Sequence, residues 1–120
     1  MKTLIDSSVW ISHFHRTDKP LTALMERREV AIHSCIIGEL AVGSLKHRKA
    51  VLGYFEMLET ITECTASEAL SLIDSERLHG QGLSWIDCLL LASCRISRCA
   101  LYTHDVKLGQ MAKRLGIPAV

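Results

Sequence analysis

The feature that most constrains the fold of this 120-residue chain is a set of short apolar runs separated by helix-forming segments. The runs Thr3–Ile5, Val30–Ile32 and Ala100–Tyr102 show no alternation of polar and apolar residues. Uninterrupted apolar runs are typical of strands that are buried on both faces of a parallel sheet. Helices that connect parallel strands cover those two faces. The pattern therefore predicts a three-layer α/β/α fold.

Helical segments and two further strands fill the intervals between these runs. The pair Thr65 and Glu68 has the spacing of a capping box, which predicts the start of a helix. Ser84 and Asp87 repeat that spacing at the start of the most apolar helix. Hydrophobic periodicity and stop signals complete the prediction. Helices are predicted at 9–14, 21–28, 36–45, 50–58, 65–79, 85–96 and 106–115, and further strands at 60–62 and 117–120.

Length and composition limit the class of protein. A chain of 120 residues with 48% hydrophobic residues is expected to form one domain, spanning 1–120, around one core. No uncharged apolar run reaches the roughly 18 residues of a membrane span, and an acid at position 6 argues against a secretory signal. A cytoplasmic location is therefore expected. Five cysteines without a two-residue spacing argue against a disulfide framework or a zinc ribbon.

Four carboxylates, Asp6, Glu39, Asp87 and Asp105, lie in apolar or turn-like settings, whereas the other nine acids have polar neighbours. A carboxylate among buried apolar residues is costly unless a positive group pairs with it. Asp6 and Asp105 each follow a predicted strand, which places both at the carboxyl edge of the sheet, where sites in parallel sheets lie. Oxygen ligands suit Mg²⁺ or Mn²⁺. The chemistry that such a site typically serves is phosphodiester hydrolysis by a metal-activated water.

Each of these acids, taken alone, also has a simpler interpretation. Asp6 and Asp105 are suited to capping the helices that follow them. Asp87 is suited to closing a capping box with Ser84, and Glu39 to the surface of its helix. The residues leave these alternatives open, and a shared cation is favoured only when the four are taken together.

A basic run between two predicted helices supplies candidate contacts for nucleic acid. Lys46, Arg48 and Lys49 could bind RNA phosphates, which would make binding depend on salt. A solvated turn between helices is the alternative. The net charge of +1 does not distinguish an RNA-binding segment from a solvated turn.

Four motifs follow one another along essentially the whole chain, and their order and spacing resemble those of a known family. They are Leu4-Ile5-Asp6-Ser7-Ser8-Val9-Trp10-Ile11, Ile36-Ile37-Gly38-Glu39-Leu40 with Gly43, Leu83-Ser84-Trp85-Ile86-Asp87 followed by Leu90-Leu91-Ala92, and Leu101-Tyr102-Thr103-His104-Asp105. The chain resembles PIN-domain nucleases, and among them the VapC-type toxins of toxin–antitoxin pairs.

The resemblance implies a fold, an activity and partners. The fold would be a five-stranded parallel sheet with helices on both sides. The activity would be Mg²⁺- or Mn²⁺-dependent cleavage of RNA by an endoribonuclease that forms a homodimer. A small cognate antitoxin would cover its groove and place a basic side chain in the acid site. The catalytic and metal-binding residues would be Asp6, Glu39, Asp87 and Asp105, supported by Ser7 or Thr103.

The chain departs from the family pattern after Asp105. Many relatives carry another acid two residues later, followed by an aromatic residue, whereas this chain has Lys107 and Leu108. The difference puts a second metal ion in doubt and makes Lys107 a further candidate for binding an RNA phosphate. Two alternatives to the toxin remain at this point: a stand-alone RNA-processing PIN nuclease, and a PIN-like binding module with weak catalysis.

Overall fold

In the computed structural model, which describes residues 1–120, a parallel sheet of four strands forms the centre of the protein. The strands are β1 (Thr3–Ile5), β2 (Val30–Ile32), β3 (Glu59–Thr60) and β4 (Ala100–Tyr102), arranged in the order β3-β2-β1-β4. Leu4 of β1 lies opposite Ala31 on one side and Leu101 on the other. Because β1 is a central strand, residues that follow it lie in the middle of the carboxyl edge.

Seven helices connect the strands and cover the sheet. They are α1 (Ser7–His15), α2 (Lys19–Glu26), α3 (Ser34–Val42), α4 (Arg48–Glu56), α5 (Ala66–Ser75), α6 (Trp85–Ser97) and α7 (Val106–Arg114). Every residue of β1, β2 and β4 is buried. Since successive strand residues point to opposite faces, both faces of the sheet must be covered. The predicted α/β fold with a parallel sheet is therefore confirmed.

The prediction of five strands is wrong in number. The segment 117–120 joins the sheet only through a single parallel bridge between Ala119 and Leu101. The Leu101 N–H donates to the Pro118 carbonyl at 2.9 Å, but proline has no N–H to return. A proline at this place limits the pairing to one bridge at the edge of the sheet.

Several element boundaries also differ from the prediction, most of them by one to three residues. The helix predicted at 65–79 ends at Ser75, because Arg77 adopts a left-handed conformation with φ of 54°. Leu78 then turns back into the core, where it is 2% exposed. The predicted strand 60–62 begins one residue earlier, at Glu59, and both of its residues are exposed.

One hydrophobic core holds the layers together. It contains 25 buried residues contributed by strands and helices alike. The most apolar helix, α6, buries six of its thirteen residues, including Leu90 and Leu91, against the rest of the core. Burial on this scale positions the start of α6, and hence Asp87, relative to the sheet. None of the helices combines the length and apolar character that crossing a membrane requires.

Candidate functional site

The candidate site is centred on Asp6, directly after β1. The Asp6 N–H donates to the Tyr102 carbonyl at 2.9 Å, which extends the pairing of β1 with β4 to the carboxyl edge. Asp6 stands at the N-cap position of α1, but its side chain makes no capping hydrogen bond. The residue is only 7% exposed. The carboxylate is therefore buried and available for a role other than capping.

Two hydroxyl groups orient the Asp6 carboxylate. Its Oδ2 atom accepts hydrogen bonds from Thr103 Oγ1 at 2.7 Å and from Ser8 Oγ at 2.8 Å. Each hydroxyl in turn accepts a backbone N–H, from Asp105 at 3.0 Å and from His104 at 3.1 Å. Each hydroxyl thus donates one hydrogen bond to Asp6 and accepts one from the backbone, which fixes its orientation. Thr103 was predicted as a supporting residue, whereas Ser8 was not, although it stands two residues after Asp6 in the first motif.

Glu39, on α3, shares an electrostatic environment with two of the other acids. Glu39 is an exposed residue, and the partial burial of its carboxyl raises the pKa of that group. The negative charges of Asp6 and Asp87 raise it further. A hydrogen bond with the Ser7 side chain acts in the opposite direction. Like charges raise a carboxyl pKa in this way only when they lie near one another. Asp6 and Asp87 therefore lie near Glu39, and the three form one carboxylate cluster that Ser7 contacts through Glu39.

Asp87 and Asp105 both take part in helix caps. Asp87 Oδ2 accepts the Ser84 N–H at 3.0 Å, and Ser84 Oγ accepts the Asp87 N–H at 3.0 Å, which completes the capping box of α6. Asp105 Oδ1 accepts the Leu108 N–H at 3.1 Å at the start of α7. The capping roles are thus present. Each role uses one carboxylate oxygen and leaves the other free. Asp105 is not among the charges that raise the pKa of Glu39.

The donor chemistry of the cluster suits a hard divalent cation, but the side chains do not converge on one point. No group of three or more His, Cys, Asp or Glu side chains is close enough together to hold a metal ion. Mg²⁺ typically takes one or two carboxylates and keeps several waters. Carboxylates that crowd one another without a basic partner, as Asp6, Glu39 and Asp87 do, fit such a water-bridged ion.

The basic residues predicted to bind RNA have different surroundings. Lys46 lines a groove of about 420 Å³ that also contains Glu39. Arg48 donates from Nη1 to the Ala41 carbonyl at 2.6 Å, and so binds the last turn of α3. Lys49 is exposed. Of these three residues, Lys46 is the one that shares a groove with Glu39.

A polar cluster that the sequence did not predict lies next to Thr103. The Tyr102 hydroxyl donates to Asp18 Oδ2 at 2.8 Å, and His104 Nε2 lies 3.2 Å from the same oxygen. Burial and the neighbouring Asp18 raise the pKa of Tyr102 to about 12. These contacts join the start of α2 to the end of β4. No sequence signal indicates them, because 84 residues separate the hydrogen-bonded pair.

Comparison with known proteins gives consistent results. The family model of the PIN domain matches residues 3–114. Ribonuclease VapC32 of Mycobacterium tuberculosis is 36% identical over 115 residues, which cover 95% of this chain and 93% of that protein.

Solved structures show the same fold. The crystal structure of PAE2754 from Pyrobaculum aerophilum covers 100% of this chain and 84% of its own, with a TM-score of 0.64 and 20% identity. The crystal structure of FitAcB from Neisseria gonorrhoeae covers 98% of this chain and 95% of its own, with a TM-score of 0.64 and 18% identity. At these identities the likeness concerns the fold alone.

Proposed function

This chain belongs to the PIN-domain family, and we propose that it is a metal-dependent endoribonuclease, the toxin of a toxin–antitoxin pair. It is related to a VapC ribonuclease over nearly its whole length. The observation that carries the proposal is the cluster of Asp6, Glu39 and Asp87 at the carboxyl edge of the sheet. Asp6 and Asp87 each repel the charge of Glu39, and no basic side chain is paired to the three carboxylates. Such a cluster is suited to a cation and a phosphodiester substrate.

In this proposal Mg²⁺ or Mn²⁺ is held by Asp6, Glu39, Asp87 and Asp105, directly or through water. A bound divalent cation lowers the pKa of a water ligand and stabilises charge on the phosphoryl oxygens. Asp6 contributes a fixed orientation, because both hydrogen bonds go to Oδ2 and Oδ1 remains free. The pKa of Glu39 is raised, and a nearby cation would favour the ionised form of its carboxyl.

The protein would bind RNA through its phosphates. The proposed contacts are Lys46, which lines the groove that contains Glu39, and Arg48 and Lys49, which follow it in the sequence. A guanidinium that already donates to Ala41 keeps other N–H groups for a phosphate. Binding that depends on these side chains weakens as salt concentration rises.

We further propose a small antitoxin as the physiological partner, together with a homodimeric toxin. The groove near Glu39 is lined by Ile11 and Phe14, whose exposed fractions are 49% and 41%. A groove lined by apolar side chains and one carboxylate is complementary to an amphipathic segment with one basic side chain. The pairing is tested by asking whether the product of an adjoining reading frame blocks cleavage, and light scattering tests the dimer.

The decisive experiment removes one charge at a time from the cluster. We expect Asp6→Asn and Asp87→Asn to lower cleavage of labelled RNA with Mg²⁺ or Mn²⁺ by at least about a hundredfold, and to abolish growth inhibition on expression. Asn keeps the size of the side chain, so folding should persist, which circular dichroism checks.

Asp74→Asn is the matched control, since Asp74 is an exposed acid on α5. This variant should cleave like the wild type. If Asp6→Asn and Asp87→Asn also retain wild-type cleavage and toxicity, the proposed nuclease is wrong.

A further inference from the structure

Lys107 lies in a notch in the loop that precedes α6. At Gly82 φ is +80°, and a Cβ atom there would lie 3.3 Å from both Cδ and Cε of Lys107 and would overlap its ammonium group. The Lys107 side chain therefore fills the space that a side chain at position 82 would need. This contact brings the first turn of α7 against the loop that leads to Asp87.

The charge of Lys107 has no partner in the molecule. The residue is exposed, and none of the five ion pairs of the protein includes it. Its place in the first turn of α7 is electrostatically unfavourable for a cation, because the start of a helix carries partial positive charge. Holding a long side chain against a loop also costs conformational entropy. Helix stability therefore does not explain why a lysine occupies this position.

We propose that Lys107, seated in the Gly82 notch, binds a phosphate of the RNA strand next to the phosphate that is cleaved. The inference rests on the proposed function and assigns one contact to the same RNA substrate. Lys107 is two residues after Asp105, and Gly82 is five residues before Asp87. Their contact therefore joins the two segments that carry these carboxylates. A phosphodiester strand carries one negative charge per nucleotide, so one phosphate can pair with the ammonium while its neighbour is cleaved.

Truncating the lysine tests the charge. We expect Lys107→Ala to weaken binding of mixed-sequence single-stranded RNA about tenfold at low salt, measured in the Asp6→Asn background so that no cleavage occurs. The slope of log affinity against log salt should fall by about 0.7, the value for one phosphate contact on a single strand. Lys113→Ala, at the exposed far end of the same helix, is the matched control and should leave affinity and slope unchanged.

A second pair of variants tests the notch without removing the charge. Gly82→Ala displaces Lys107, whereas Gly80→Ala places a Cβ in open space at a similar φ of +70°. Both variants strain the loop, so the difference between them reports the displaced lysine. Gly82→Ala should weaken RNA binding more than Gly80→Ala, and this difference should vanish when Lys107→Ala is also present.

The outcomes separate the two proposals. If the wild type cleaves RNA but Lys107→Ala binds it with unchanged affinity and salt slope, the phosphate subsite is wrong and the proposed function stands. If Gly82→Ala and Gly80→Ala weaken binding equally, with or without Lys107, the notch has no part in binding and the inference fails. If the wild-type protein cleaves no RNA, the proposed function and this inference both fail.

Discussion

At the scale of single residues, the hydroxyl groups of Ser8 and Thr103 decide how Asp6 is presented. A buried carboxylate loses its hydration, and hydrogen bonds to the charged form offset part of that loss. Both hydroxyls bind the same oxygen, Oδ2, and both are themselves held by backbone N–H groups. Asp6 can therefore remain buried at 7% exposure with no basic partner.

Thr103 offers a test of this orientation. We expect Thr103→Val to lower the rate of RNA cleavage about ten- to hundredfold, because groups that orient a metal ligand typically contribute that much. Valine matches threonine in shape but cannot donate to Asp6 or accept the Asp105 N–H. The effect should be measured as kcat and as the affinity for Mn²⁺.

Thr103→Ser is the control for that experiment, since it restores the hydroxyl and should recover most of the rate. If Thr103→Val cleaves RNA as fast as the wild type, the hydroxyl does not orient Asp6 for the reaction.

Which of these residues the sequence could predict depends on the distance over which they interact. Asp6 is predictable because it follows an apolar strand, and Asp87 because Ser84 stands three residues before it. The bond between Thr103 and Asp6 spans 97 residues and exists only once β1 and β4 pair. Partners at that separation leave no pattern in one sequence, so the family resemblance, not residue spacing, indicated Thr103.

At the scale of elements, the start of α3 depends on a buried histidine. His33 stands at the N-cap, where its Nδ1 accepts the Cys35 N–H at 3.0 Å and its Nε2 bonds with Ser93 Oγ at 3.1 Å. An Nδ1 that accepts must be unprotonated, so the ring is neutral in this arrangement. Burial lowers the pKa of His33, and the nearby Glu63 offsets only part of this shift.

His33 should make the fold less stable in mild acid. Its pKa is 6.5 in the unfolded chain and lower in the folded protein. Below pH 6.5 the unfolded state therefore takes up a proton that the folded state does not, and stability falls by up to about 1.4 kcal/mol per pH unit until the folded pKa is reached. Urea unfolding at several pH values between about 8 and 5 measures this loss.

A variant separates His33 from the other titrating groups. Glu39, with its raised pKa, acts in the opposite sense, because its folded form loses stability as pH rises above 4.5. Glu63, whose pKa is lowered, stabilises the fold above 4.5 and loses that effect only in stronger acid. His33→Asn keeps a capping side chain and should remove the loss below pH 6.5. An unchanged pH dependence in His33→Asn would assign the effect to another group.

The elements themselves were predictable to different degrees. The strands β1, β2 and β4 occur where the apolar runs place them, because burial on both faces leaves a strong pattern. The edge segments were less predictable. β3 is a pair of exposed residues, and 117–120 is reduced to one bridge by Pro118. Pairing at the edge of a sheet depends on contacts with the neighbouring strand, and the local sequence does not encode those contacts.

At the scale of the whole molecule, the carboxylate cluster opposes the stability of the fold in the absence of a cation. The charges of Asp6 and Asp87 repel that of Glu39, and none of the five ion pairs of the protein involves these residues. Burial of the 25 core residues must therefore offset the free energy of this repulsion. Anything that neutralises the cluster in the folded state alone will stabilise the protein.

Mn²⁺ or Mg²⁺ should therefore raise the stability of the wild type. Binding to the folded state alone adds about 2.7 kcal/mol when the free cation is present at 100 times its Kd. Thermal melts with increasing Mn²⁺ should show a rising Tm, and the dependence on concentration gives the Kd without reference to activity.

The Asp6→Asn variant tests whether the cation binds at the carboxylates. Without the cation it should melt at the same temperature as the wild type or higher, since the substitution relieves repulsion. Adding the cation should raise its Tm much less than that of the wild type. If the Tm of the wild type does not change with Mn²⁺ or Mg²⁺, there is no cation site at these carboxylates. If the Tm of Asp6→Asn rises as much as that of the wild type, the cation binds elsewhere on the surface.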